Sequence, residues 1–155
     1  MSGASLWDLA HAGRKTFWDA LDVHRQDLPP IVTHTGVCGV RPHWRNLDDR
    51  QVRAIVDRGG CVGVMYQSNF LEPVFTWGSR SSILDHIEHI IQVAGEHAPA
   101  IGTDYDGMII PPADLPDVTC HPLLVQDMLD RGWSEARIRG VLGENFLRCF
   151  AELRS

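Results

Sequence analysis

Residues 31–66 read IVTHTGVCGVRPHWRNLDDRQVRAIVDRGGCVGVMY, and this stretch decides the fold. The apolar run Ile31 to Thr33 is too short for a helix and suits a buried strand. From Asp48 to Arg58 the spacing changes: Leu47, Val52, Ile55 and Val56 form an apolar stripe of helical period, stopped by Gly59-Gly60. Cys61 to Tyr66 is again a short apolar run. Strand, helix, strand in this order is the unit from which parallel sheets are built.

Working outward, the alternation continues on both sides. Leu6 to Ala10 reads as a strand before the helix Arg14 to Val23, and Ala100 to Thr103 as a fourth strand. Between the last two strands lies a helix with Ser81 or Ser82 as its cap. It carries Ile83, Ile87, Ile90, Ile91 and Ala94 on one face and ends at Gly95. Four β/α units result. Met108 to Pro122 is a Pro-rich loop; Leu123 to Asp130 is a helix; Ser134 opens a last helix reaching Phe150, with Gly140 and Gly143 inside it. The fold expected is α/β, with parallel strands and an extra C-terminal helix, in a single domain over 1–155.

Composition narrows the function classes. With 14 Lys+Arg against 20 Asp+Glu the net charge is −6, and no basic block is present, so a nucleic-acid partner is not expected. No apolar stretch approaches the roughly 20 residues of a membrane span. No apolar leader follows the first Met, and Arg148 to Ser155 is charged rather than a hydrophobic tail, so a cytoplasmic location is expected. The four cysteines, Cys38, Cys61, Cys120 and Cys149, form no C-x-x-C pair and read as buried thiols.

Three chemistry-bearing residues fall where strands end: His11 after Leu6 to Ala10, His34 after Ile31 to Thr33, and Asp104 after Ile101 to Thr103. The C-terminal ends of parallel strands form the active face of β/α barrels, so one shared site is expected there. Two imidazoles and a carboxylate suit Zn²⁺, which acidifies a bound water. The loop after His34 brings back Arg45, whose planar fork can hold a substrate carboxylate; a solvated or helix-capping arginine is equally compatible with the spacing. Asp104-Tyr105-Asp106-Gly107 likewise fits either a site or a plain turn. His86 and His89 share a helix face at i, i+3, but an outer helix aims them away from the strand ends.

Six segments in order, Asp8-Leu9-Ala10-His11, Ile31-Val32-Thr33-His34-Thr35-Gly36, Arg45-Asn46-Leu47-Asp48-Asp49, Asp85-His86-Ile87-Glu88-His89-Ile90, Gly102-Thr103-Asp104-Tyr105-Asp106-Gly107 and Leu142-Gly143-Glu144-Asn145-Phe146-Leu147-Arg148, resemble the membrane (renal-type) dipeptidases, peptidase family M19. The resemblance implies a zinc-dependent (β/α)8 TIM-type barrel that hydrolyses dipeptides by metal-activated water, with two metal ions bridged by a carboxylate. His11 and His34 match the two histidines of the second metal, Arg45 the arginine on the carboxylate side of the substrate, and Asp104 the aspartate that passes a proton to the leaving amine.

The chain also departs from that pattern. No His-x-Asp pair, which holds the first metal in the family, occurs anywhere in it; the bridging Glu and the oxyanion-side histidine are missing too. A whole barrel takes about 250 residues, so 155 residues correspond to the C-terminal half, expected to bind at most one zinc. An N-terminal half or a homo-oligomer is the expected partner, because open strand edges invite pairing. Two other readings stand beside a dipeptide-hydrolysing role: an inactive half-barrel kept as a binding or assembly module, and a related amidase acting on other small amides or D-configured dipeptides.

Overall fold

A computed structural model describes residues 6–24, 27–73, 75 and 77–152. The start of the chain and residues 153–155, on which the expectations about a leader and the charged C-terminus partly rest, lie outside the described residues. The element order is α1 (Arg14–Val23), β1 (Val32–Thr35), α2 (Asp49–Val56), β2 (Val62–Val64), α3 (Ser68–Leu71), α4 (Arg80–Ala94), β3 (Pro99–Ile101), α5 (His121–Asp130), α6 (Glu135–Arg139) and α7 (Asn145–Glu152). The strands form a parallel sheet in the order β1-β2-β3. This is the α/β architecture expected, with a correction at its first strand. The segment Leu6 to Ala10 is not a full strand but joins the edge through a single parallel bridge, Asp8 to Ile31. The Leu9 N–H donates to Ile31 O and the Ile31 N–H to Trp7 O.

The pleat sorts the strand residues onto two faces. Val32, Val62 and Val64 point into the main core, where α4 lays down Ile83, Leu84, Ile87 and Ile90, all fully buried. Those four side chains contribute on the order of 10 kcal/mol of apolar burial before the cost of ordering the chain. On the other face Ile31, Cys61 and Ala100 form a smaller cluster with Cys149 of α7. All four cysteines are free thiols. Cys61 and Cys149 are buried as expected, whereas Cys38 and Cys120 are only half-buried.

Helix ends follow local chemistry. Asp48 caps α2 in a reciprocal box with Gln51, and the chain leaves the helix through Gly59, whose φ of +81° is the left-handed value glycine tolerates. The cap of α4 is Ser79 rather than Ser81 or Ser82; Ser82 is its partner three residues on. The last helix is not continuous. Ser134 caps α6 as expected, but Gly140–Glu144 forms one wide turn with Gly143 outside helical geometry, and α7 starts anew at Asn145. The Asn145 Nδ2 donates to Glu96 O and Pro99 O at 2.9 and 2.8 Å, fastening this break to the start of β3. The Pro-rich loop contains one short turn of 3₁₀ helix, Val118–Cys120.

Between Val32 and Thr35 the register of β1 against β2 shifts: Val32 pairs with Val62 and Thr35 with Val64. Two residues, Thr33 and His34, therefore stand opposite Gly63 alone. Such a bulge bends a strand and re-aims its side chains. It also drives the Thr33 carbonyl inward, so a Cβ on Gly63 would lie 2.0 Å from Thr33 O and one on Gly102 1.8 Å from it. Only glycine fits at either position.

Candidate metal centre at the strand ends

The four residues singled out in the sequence meet at the C-terminal edge of the sheet. His34 is the third residue of β1, not the residue after a strand as expected, and the bulge turns its ring toward His11. The two Nε2 atoms lie 2.7 Å apart with ring centroids at 4.8 Å. Asp104, beyond β3, places Oδ2 3.9 Å from His34 Nε2. His11 and Asp104 have φ of 65° and 60°, two of only four non-glycine residues in the left-handed region among the described residues. Such conformations cost on the order of 1 kcal/mol or more and concentrate at functional sites.

Asp104 sits in a tight turn, with the Gly107 N–H donating to its carbonyl at 2.9 Å. A Cβ on Gly107 would lie 2.1 Å from Asp104 Oδ1. The plain turn that the sequence allowed is present, and it leaves the Asp104 carboxylate beside the His34 ring.

Arg45 is neither solvated nor a helix cap. Its loop folds back because Val37 bridges to Leu47, and Asn46 Nδ2 donates to Arg41 O and Phe70 O at 2.9 and 2.8 Å. Thr35 Oγ1 donates to Arg45 O at 3.1 Å, and the guanidinium Nη2 donates to His34 O at 3.3 Å. The side chain is buried. No carboxylate among the described residues comes within 4.0 Å of it, although Asp104 and Asp8 lie near enough to be felt. Burial lowers its pKa and these two carboxylates raise it; an arginine stays protonated under such conditions.

Burial is also the main reason the His34 pKa falls below the ordinary imidazole value; Arg45 and His11 push the same way, against Asp104 and Asp8. A neutral imidazole is the form that binds a metal. His34 and Asp104 further line a concavity of about 320 Å³ whose floor includes Thr33, Gly63, Gly102 and Phe146. A second, smaller cleft of about 50 Å³ is lined by His11, Arg14, Trp44 and Arg45.

Asp8 and Thr33, which were not singled out, complete the arrangement. Asp8 Oδ1 accepts from the N–H groups of Ala10 and Thr33, both at 3.0 Å, and Oδ2 accepts from Thr33 Oγ1 at 2.6 Å. Thr33 Oγ1 lies 2.9 Å from His34 Nδ1. An aspartate inside an apolar run was the available signal. The α4 histidines are spent elsewhere: His86 bridges Val37 N–H and Leu71 O, and His89 Nε2 lies 2.8 Å from Asp49 Oδ1.

Two converging imidazole nitrogens with a nearby carboxylate form a donor set that a borderline divalent ion accepts. The fit is partial, because the described residues contain no group of three or more His, Cys, Asp or Glu arranged to hold an ion. No helix among them is long and apolar enough to cross a membrane.

Residues 5–155 match the family model described as membrane dipeptidase (Peptidase family M19). A curated Klebsiella pneumoniae protein, described as an uncharacterized protein in the pqqA 5' region, is 35% identical over 147 residues, which are 91% of this chain and 52% of that protein. Among solved structures, the dipeptidase AC, a metallo peptidase of family M19, superposes with a TM-score of 0.84 at 31% identity, covering 95% of this chain and 43% of the other. A metallo peptidase from Rhodobacter sphaeroides, liganded with a phosphinate mimic of the dipeptide L-Ala-D-Ala, gives 0.83 at 32%, covering 95% and 41%. The chain thus spans about half the length of the relatives it matches.

Proposed function

Since the chain belongs to the membrane dipeptidase family, peptidase family M19, we propose that it supplies the C-terminal half of a zinc-dependent dipeptide hydrolase with a (β/α)8 barrel. The observation that carries this reading is the convergence of His11 and His34 at 2.7 Å, with an Asp104 carboxylate oxygen 3.9 Å from the His34 Nε2. His11 and His34 would hold one ion through Nε2. When bound, that ion supplies Lewis acidity, polarising the scissile carbonyl and lowering the pKa of a water.

The remaining work belongs to the chain's own side chains. Arg45 has N–H groups left after its bond to His34 O and is buried, so a substrate carboxylate meets a planar, poorly hydrated fork that fixes its direction. Asp104, oriented by its turn, receives a proton on Oδ2 during attack and returns it to the departing amine nitrogen. The concavity beside His34 and Asp104 offers room for the reacting amide.

A dipeptide is the substrate class, and family resemblance supports it; L-Ala-D-Ala is the dipeptide mimicked in the Rhodobacter relative. The partial donor set, with no group of three or more ligand-type residues among the described residues, favours as second reading an inactive half-barrel that serves as a binding or assembly module. Elemental analysis of the purified chain, with its mass from light scattering, separates these. At most one zinc per chain and little hydrolysis of Gly- or D-residue dipeptides are expected. Two tightly held zinc ions per chain would overturn the half-site reading.

A further inference from the structure

The polar bonds around Asp8 contain more information than their distances. A carboxylate can only accept hydrogen bonds, so at the 2.6 Å contact the Thr33 hydroxyl must donate its one proton to Asp8 Oδ2. The same oxygen of Thr33 is then left with lone pairs alone toward His34 Nδ1, 2.9 Å away. The proton in that second bond must therefore sit on the imidazole. With Nδ1 protonated, Nε2 of the neutral ring carries the lone pair, and Nε2 is the atom facing His11.

We propose that Asp8 is a positioning residue: acting through the Thr33 hydroxyl, it holds His34 in the Nδ1–H tautomer and so keeps the Nε2 lone pair turned toward His11. The proposal rests on the reading above in which that Nε2 is a metal donor. It also explains why one carboxylate serves two imidazoles. Asp8 lies three residues before His11 and anchors the backbone N–H of Thr33, the residue next to His34. Its Oδ1 contacts fix the spacing of the two chain segments; its Oδ2 contact fixes which ring nitrogen is available. Partners of this kind orient metal-binding histidines in general, and their loss typically costs about 10–100-fold in affinity.

Asp8→Asn provides an unusually sharp test. The amide oxygen can keep both backbone contacts, but an NH₂ group replaces Oδ2 and donates to Thr33 Oγ1. The hydroxyl then donates to His34 Nδ1, and the ring proton moves to Nε2. Long-range ¹H–¹⁵N correlation spectra of the metal-free chain, labelled in histidine, read this directly. The wild type should show His34 as Nδ1–H and Asp8→Asn as Nε2–H. Zinc titrated against a chromophoric chelator should bind about 10–100-fold more weakly to the variant.

Thr33→Ser, which keeps the hydroxyl, should keep the wild-type tautomer and an affinity within about threefold; Thr33→Val, which keeps the shape, should lose both. Thr33→Val also replaces Asp8→Asn should circular dichroism show that variant unfolded. Asp8→Asn and Thr33→Val that retain the Nδ1–H tautomer and wild-type zinc affinity would overturn the proposal. A wild-type Nδ1–H tautomer in a chain that takes up no zinc would support the positioning of His34 and overturn the metal reading instead.

Discussion

Two pairs of histidines divide the molecule. His86 and His89 sit on α4; His11 and His34 sit at the strand ends. His86 is fully buried, and both its ring nitrogens are consumed: Nδ1 accepts from the Val37 N–H at 2.9 Å and Nε2 donates to Leu71 O at 3.1 Å. His34 bonds its own scaffold through Nδ1 only, and its Nε2 meets another imidazole across 2.7 Å. A histidine whose two nitrogens are both satisfied by backbone is a structural bolt, however metal-like its spacing; one with a nitrogen turned toward another donor has capacity left over.

Breaking the strand-end pair should give the largest effect. His34→Ala is expected to empty the second metal site of the completed enzyme, a loss of about one equivalent of zinc by elemental analysis after gel filtration, with no collapse of the fold. Retention of full metal content would show that the ligand assignment is wrong. The corresponding change on the helix should do the reverse. His86→Ala opens a cavity and strands the Val37 N–H and Leu71 O, so urea unfolding should show a loss of about 3 kcal/mol.

Acid should expose the same contrast without mutation. Burial, the main cause, pushes the His86 pKa down to about 4 from its ordinary 6.5, so the folded chain keeps this imidazole neutral. The unfolded chain takes up a proton below pH 6.5. Stability from His86 is therefore whole above about pH 6.5 and drains away as pH falls toward 4, by roughly 3 kcal/mol in all. Urea midpoints of wild type and His86→Gln across that range should converge as pH falls. The smallest effect is expected from the partly exposed contact between His89 and Asp49, where Asp49→Ala should cost under about 1 kcal/mol at neutral pH.

Much of the scaffold could be read from neighbours along the chain. The bounds of α1 and the glycine end of α4 follow from apolar spacing and from Gly95. Ser79 was missed as the α4 cap because three serines lie within four residues, and the choice depends on which of them has a reciprocal partner three positions on. The strand-end placement singled out His11, His34 and Asp104, and the structure brings these three together. The orientation of Arg45 could not be read, since it is set by Asn46 reaching the carbonyl of Phe70, 24 residues later. Nor could the thin attachment of residues 6–10 or the role of Asp8, because both depend on which residue of the neighbouring strand stands opposite.

The bulge in β1 carries a consequence for how such a chain can change over generations. Inward and outward parity along the strand reverses at one inserted residue, so the side of the sheet on which His34 emerges is a matter of counting as well as of chemistry. Losing one codon between Val32 and Thr35 would return the strand to an even ladder against β2 and withdraw the imidazole from its partner, while the apolar positions on either side kept theirs. Gly63 and Gly102 would then lose the displaced carbonyl as a neighbour, although each would still press on the other's Cα at 3.3 Å if given a Cβ. In this fold a reading-frame-preserving deletion can therefore part His34 from His11 in one step, as a substitution of His34 itself would.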